Sequence, residues 1–207
     1  MICSLIVFVK NPILGKVKTR VAATTGHEKA VEVYVELLQH TKNVAKEWVN
    51  TEEEGIQKRI NVYYGDFIND NDLWNEPFFE KKKQCESTDL GDRMKMAFER
   101  ELPSANRVMI IGSDCLDIRP THLSNAFAAL ENHDIVIGPA DDGGYYLLGM
   151  KERHPMVFEN KSWSQPSLLK ETIDALQQEG VQKSYFLLET LSDIDTRDDY
   201  QRSKNKT

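Results

Sequence analysis

The sequence predicts an α/β fold, a sheet covered by helices on both faces. Three observations lead there. Apolar runs rich in β-branched and aromatic residues, such as ICSLIVFV and RVMIIG, alternate with segments whose apolar residues recur every three or four positions. The runs themselves are nearly continuous, as in parallel strands buried on both sides. The 207 residues, 40% of them hydrophobic, contain no repeat or low-complexity segment, which fits one sizeable domain.

ICSLIVFV is the first strand. From His27 to Trp48 the set Ala30, Val33, Tyr34, Leu37, Leu38, Thr41, Val44, Ala45 and Trp48 forms one stripe of a long helix. INVYYG (Ile60 to Gly65) is a second strand. Leu90 to Leu102 is a helix, capped by Thr88 or Asp89 and stopped before Pro103. RVMIIG (Arg107 to Gly112) is a central strand, followed by a helix from Pro120 to Glu131 and strands at Asp134 to Gly138 and Tyr145 to Met150. Ser167 to Glu179 is helical, Lys183 to Leu188 is strand-like, and Thr196 to Arg202 forms a short helix. The charge runs Glu52 to Glu54 and Lys81 to Lys83 are expected as solvated loop surface.

A formal net charge of −7 argues against a nucleic-acid partner and for a small anionic ligand in a local basic pocket. No apolar run approaches the roughly 20 residues of a membrane span, and SLIVFV lacks a basic leader and a cleavage site, so a soluble, cytoplasmic protein is expected. Cys3, Cys85 and Cys115 are odd in number and lack a CxxC pattern, which suggests neither a disulfide framework nor a zinc site.

In an open α/β sheet, ligands collect beyond the carboxyl ends of the strands. Three loops at such ends carry unusual residues. KNPILGKVKTR follows the first strand and crowds Lys10, Lys16, Lys18 and Arg20 together, cations that repel one another unless an anion or acidic partners offset them. A phosphate or diphosphate meets that need; so does a surface loop paired with carboxylates. No Walker motif or GxGxxG is present, so side chains rather than a glycine-rich cradle would hold the charge, Arg20 as a bidentate fork. IGSDCLD sets Asp114 just past a buried strand, where a carboxylate binds Mg²⁺ or Mn²⁺ or else caps a turn. LSDIDTRDDY supplies Asp193, Asp195, Asp198 and Asp199; Asp195 is the candidate second metal ligand, and N-capping explains it nearly as well. GPADDGGYYLLG leads Asp141 and Asp142 into Gly143 and Gly144, suited to a sharp turn or to close approach of a ligand, with Asp142 as a base or acceptor anchor. Tyr145 and Tyr146 point to opposite faces, so at most one meets the crevice.

KNPILGKVKTR, DLGDRM (Asp89 to Met94), IGSD, GPADDGGYYLLG, the pair Trp163 and Ser164, and DIDTRDD together resemble a bacterial family of glycosyltransferase-A-like proteins, related to phospholactate guanylyltransferase and to other nucleotidyltransferases. The resemblance covers nearly the whole chain. Cys115 and Leu116 depart from it, standing where the family usually has a small residue and Pro. It implies the nucleotide-diphosphosugar transferase fold over residues 1–207, a single domain with a mostly parallel mixed sheet. It also implies that Lys10, Lys18 and Arg20 lie against nucleotide phosphates with Arg93 adding a contact. Asp114 would take the place of the fold's metal-binding aspartate, and Asp142, Gly143, Gly144, Tyr145 and Trp163 would face the sugar or acceptor.

The expected function is a metal-dependent transferase that uses a nucleotide or nucleotide-sugar donor and a small-molecule acceptor. Glycosyl transfer ranks ahead of nucleotidyl transfer, and a nucleotide-binding module without turnover is the further alternative. A triad hydrolase ranks last, since His27, His40, His122, His133 and His154 sit in helix or turn contexts and no GxSxG elbow exists.

Overall fold

The computed structural model describes residues 1–178 and 180–205. Seven strands, β1 (Ile2–Val9), β2 (Gln57–Tyr64), β3 (Phe79–Lys83), β4 (Arg107–Ile111), β5 (Ile135–Pro139), β6 (Tyr145–Met150) and β7 (Tyr185–Leu187), form one sheet in the order β3-β2-β1-β4-β6-β5-β7. Strand β6 runs antiparallel to β4 and β5, while the other pairings are parallel. Six α-helices cover the sheet: α1 (Thr19–Thr25), α2 (His27–Asn50), α3 (Leu90–Glu101), α4 (Pro120–Ala129), α5 (Leu168–Gln177) and α6 (Arg197–Lys204).

The alternation along β1 shows why helices are needed on both faces. Leu5, Val7 and Val9 join one apolar cluster with α2 and α4, whereas Ile6 joins a second with α3 and α5. A strand with no solvent face must be covered twice. All nine residues of the stripe read on α2 are buried, and Trp48 stacks on Phe127 of α4 with centroids 5.0 Å apart. Gly26, at φ 88°, lets the chain turn between α1 and α2.

Two expectations are corrected. Lys81 to Lys83 is not loop surface: it belongs to β3, an edge strand parallel to β2. Its charges have partners, Lys81 with Asp72 at 2.8 Å and Lys82 with Glu101 at 2.8 Å, and lysines on an edge discourage pairing with another sheet. Glu101, nearly fully buried, also accepts from Tyr63 Oη at 2.6 Å and Asn61 Nδ2 at 3.1 Å, which pins the end of α3 to β2. Helix α1 is the second, an element beyond those expected; its seven residues pack Val21 and Ala22 into the core. Helix α5 is shorter than the expected span by Ser167 and Gln178, which flank it as caps, and the expected end at Glu179 lies outside the described residues. No described helix is long and apolar enough to cross a membrane.

Candidate functional site

The strand order reverses at β1: the chain builds outward through β2 and β3 on one side, then returns to β4 on the other. Loops leaving β1 and β4 therefore diverge, and a cavity of about 530 Å³ opens beyond their carboxyl ends. Lys10, Lys18, Arg20, Arg93, Asp114 and Asp195 all line it, as do Tyr145 and Trp163. Asp142, Gly143 and Gly144 do not line it.

The basic loop is rooted by Asn11, whose Nδ2 donates to Asp66 Oδ1 and to the Phe67 carbonyl, both at 2.8 Å. Tyr34 of α2 accepts from Lys10 N at 2.9 Å and meets Ser113 Oγ at 3.4 Å, joining the loop after β1 to the loop after β4; burial pushes its hydroxyl up to about 12. Gly15 turns the loop at φ 77°. Lys18, the residue before α1, then adopts the left-handed conformation at φ 45°, which disfavours a non-glycine residue by roughly 1–3 kcal/mol. Its side chain accounts for the persistence of that strain. Only 6% exposed, it sets Nζ 2.7 Å from Asp114 Oδ1, 2.6 Å from the Ile194 carbonyl and 4.0 Å from Asp195 Oδ1. Arg20, by contrast, is 72% exposed and reaches Asp195 Oδ2 at 3.0 Å.

Asp114 is fastened from behind, because its carbonyl accepts from Ile194 N at 2.8 Å. This contact brings the segment before α6 against the end of β4. It also carries in Asp193, which in the sequence is one of several neighbouring acids with no role of its own. Burial, then the charges of Asp114 and Asp142, push its carboxyl up to about 7, against the pull of Lys18. The two aspartates spaced by one residue in DID are the available signal. Nothing in the sequence singles out Gln84; it is buried on the β2 side of the cavity, where Oε1 accepts from Arg93 Nη1 at 3.1 Å. Asp195 does not cap α6. Thr196 and Asp199 form the capping box there, with Thr196 Oγ1 accepting from Asp199 N at 3.3 Å.

The segment ADDGG closes a tight turn between β5 and β6. Asp142 Oδ1 accepts from Gly144 N at 2.8 Å, and Asp141 accepts from Ser192 Oγ at 2.6 Å. Gly143, at φ 89°, packs so closely that a Cβ would lie 2.7 Å from the Pro166 Cα, and its carbonyl accepts from Leu169 N at 2.9 Å. Gly143 thus seats residues 166–169 against the turn, while Gly144 meets only the Asp142 side chain. Trp163 comes to the wall just ahead of that segment, edge-on to Tyr145 at 6.2 Å, and its indole lies flat against Gly91 of α3. A Cβ at Gly91 would lie 2.5 Å from Cε2 and 2.7 Å from Cζ2 of Trp163. Gly91→Ala should therefore displace the indole and destabilise the fold by about 1–3 kcal/mol, visible as a lower urea midpoint together with altered tryptophan fluorescence; an unchanged emission spectrum would contradict this packing. None of the five histidines lines the cavity. His122 serves α4, where Nδ1 accepts from Arg119 N at 2.8 Å.

The electrostatic balance of the site is uneven. Asp114, Asp193 and Asp195 gather around Lys18, with Asp142 close enough to act on Asp193. Among the described residues, no three His, Cys, Asp or Glu side chains are already set around a common metal position. Asp114 and Asp195 keep side chains 46% and 42% exposed, facing the cavity mouth. Two accessible carboxylates suit a hard cation whose remaining positions are filled by phosphate oxygens and water.

Comparison with solved structures places this architecture. A Desulfovibrio desulfuricans G20 protein, provisionally described as a nucleotide-diphospho-sugar transferase, superposes with a TM-score of 0.79 at 28% identity over 94% of this chain and 82% of its own. A CMP:2-keto-3-deoxy-manno-octonic acid synthetase complexed with CTP gives 0.60 at 9% identity, covering 100% and 98% of the two chains. Rv0371c from Mycobacterium tuberculosis H37Rv, in complex with manganese, gives 0.55 at 14% identity over 100% and 99%. No curated protein matches the chain. The seven-stranded mixed sheet is thus that of the nucleotide-diphosphosugar transferase fold. Residues 38–165, well over half of the chain, match the family described as "Uncharacterized protein conserved in bacteria (DUF2064)", and the protein belongs to that family.

Proposed function

We propose that the protein is a metal-dependent transferase acting on a nucleotide-activated donor, a nucleotide-diphosphosugar in the leading reading. One observation carries this: Lys18 is drawn out of solvent onto Asp114 and Asp195 at the wall of a cavity, with Arg20 beside the same carboxylates. Cations and carboxylates in one cavity match a diphosphate together with a divalent ion. Asp114 and Asp195 would hold Mg²⁺ or Mn²⁺, which supplies Lewis-acid stabilisation of the leaving phosphate when bound. Lys18 and Arg20 lie beside those carboxylates and neutralise charge on the leaving diphosphate, the positioning role that dominates such transfers. Tyr145 and Trp163 give the acceptor an aromatic wall, and Asp142 acts indirectly by capping the turn that holds Tyr145 there.

Support comes from relatives of the same fold, one described as a nucleotide-diphospho-sugar transferase, one bound to CTP and one to manganese. The CTP complex favours a second reading, nucleotidyl transfer from a nucleoside triphosphate. Incubation with a panel of nucleotide sugars and nucleoside triphosphates plus Mn²⁺, followed by product analysis, separates them. Release of nucleoside diphosphate is the expected result, pyrophosphate would replace it with the second reading, and binding with no product would reduce the protein to a nucleotide-binding module.

A further inference from the structure

Lys16 aside, the cations lining the cavity fall into two groups with different partners. Lys18 and Arg20 are committed to carboxylates. Lys10 and Arg93 are not: among the described residues neither has an acidic side chain within ion-pair distance, although the chain carries a net charge of −7. They are also neighbours. A Cβ on Gly65 would lie 3.5 Å from Lys10 Cγ and 3.5 Å from both polar atoms of the Gln84 amide, and that amide accepts from Arg93 Nη1. Gln84 is itself locked, donating Nε2 to the Tyr63 carbonyl at 2.9 Å, so its oxygen is held toward the guanidinium. Arg93 Nε is buried and has no hydrogen-bond partner. An unpaired buried donor on a cation costs free energy unless a ligand satisfies it.

We propose that Lys10, Gln84 and Arg93 form a second anion site, on the β2 side of the cavity, which takes an oxyanion carried by the acceptor. The inference rests on the transferase reading for the word acceptor; the anion site itself does not. The donor's diphosphate must stay within reach of Asp114 and Asp195, and no described contact links Lys10 or Arg93 to either. A cluster free of carboxylates prefers an anion without help from a metal, whereas the Asp114 cluster repels one until a cation arrives. Arg93, held by Gln84 and with Nε to spare, offers a directed fork, and Lys10 adds a mobile charge beside it.

That difference supplies the test. Inorganic phosphate is titrated in metal-free buffer, with thermal stability and calorimetry as readouts. The wild type should bind phosphate, Arg93→Gln should weaken it at least tenfold, and Arg93→Lys should retain part of the affinity. Each variant's melting temperature without ligand shows whether it folds. A separate titration with nucleotides and Mn²⁺ should give the same affinity in wild type and Arg93→Gln, and saturating nucleotide should not displace phosphate. Absence of metal-free phosphate binding, or binding insensitive to Arg93→Gln, would overturn the proposal. Displacement by nucleotide would overturn it differently, returning Arg93 to the donor. If phosphate binds through Arg93 while no nucleotide binds at all, the anion site stands and the donor reading falls.

Discussion

Asp114→Asn is expected to abolish the metal-dependent part of any nucleotide-induced stabilisation and to lower turnover by on the order of 10³, the effect of losing about 4 kcal/mol of charge stabilisation in the transfer step. The substitution preserves size and one acceptor oxygen while removing the charge that faces the cavity. Folding stability should change by less than about 1 kcal/mol, because two effects oppose each other. Lys18 loses its 2.7 Å partner but keeps the Ile194 carbonyl, and Asp193 loses one of the two charges that most disfavour its ionisation. A thermal-shift titration with and without Mn²⁺ reads the first effect, and urea unfolding reads the second. An unchanged Mn²⁺-dependent shift would remove Asp114 from the site.

The second large effect concerns Asp193 in the metal-free protein. Its carboxyl is raised from the ordinary value of 3.8 to about 7, first by burial and then by Asp114 and Asp142. A raised carboxyl binds its proton more tightly in the fold than in the unfolded chain. Between pH 4 and 7 the native state therefore holds more protons, so this group's contribution to stability is present at pH 4 and is lost as pH rises toward 7. Asp193→Asn stays neutral throughout. The variant should match the wild type near pH 4 and exceed it above pH 7 by on the order of 4 kcal/mol, since each tenfold gain in proton affinity on folding is worth about 1.4 kcal/mol. Urea unfolding at pH 4.5 and pH 8 measures this, and an equal difference at both values would show that the charge of Asp193 is not what costs stability. Adding Mg²⁺ at pH 8 should narrow the gap, because a cation near Asp114 and Asp195 offsets the repulsion.

The legible parts of the fold share one property: their burial is recorded in local periodicity. The α2 stripe and the apolar runs of β1 and β4 can be read because a residue's neighbours in sequence are also its neighbours on the packed face. Strand β3 cannot, since Lys81 and Lys82 are matched by Asp72 and Glu101, partners that no period reveals. The antiparallel direction of β6 is likewise invisible to periodicity. For the site, the rule that ligands collect at strand ends is enough to expect that Lys18 and Asp114 share a cavity. It is not enough for the ADDGG turn, because a glycine that admits a ligand and one that admits the Pro166 backbone leave the same trace in the sequence. Asp193 has only the DID spacing to mark it, and that spacing does not tell it from Asp195, which differs in its ion pair with Arg20.

Lys18 and the Ile194 carbonyl are 176 positions apart in the chain, and Tyr200 Oη closes a second such clasp on Glu36 at 2.6 Å. Translation proceeds from the amino end, so β1, α2, β2 and β4 can collapse together long before residues 193–200 emerge. A nascent chain at that stage can pair Lys18 with Asp114 but still lacks the Ile194 carbonyl and Asp195, the remaining partners of that lysine. The same geometry makes the cavity depend on the segment between β7 and α6: without it the sheet pairings would remain while Asp193 and Asp195 would be missing from the wall.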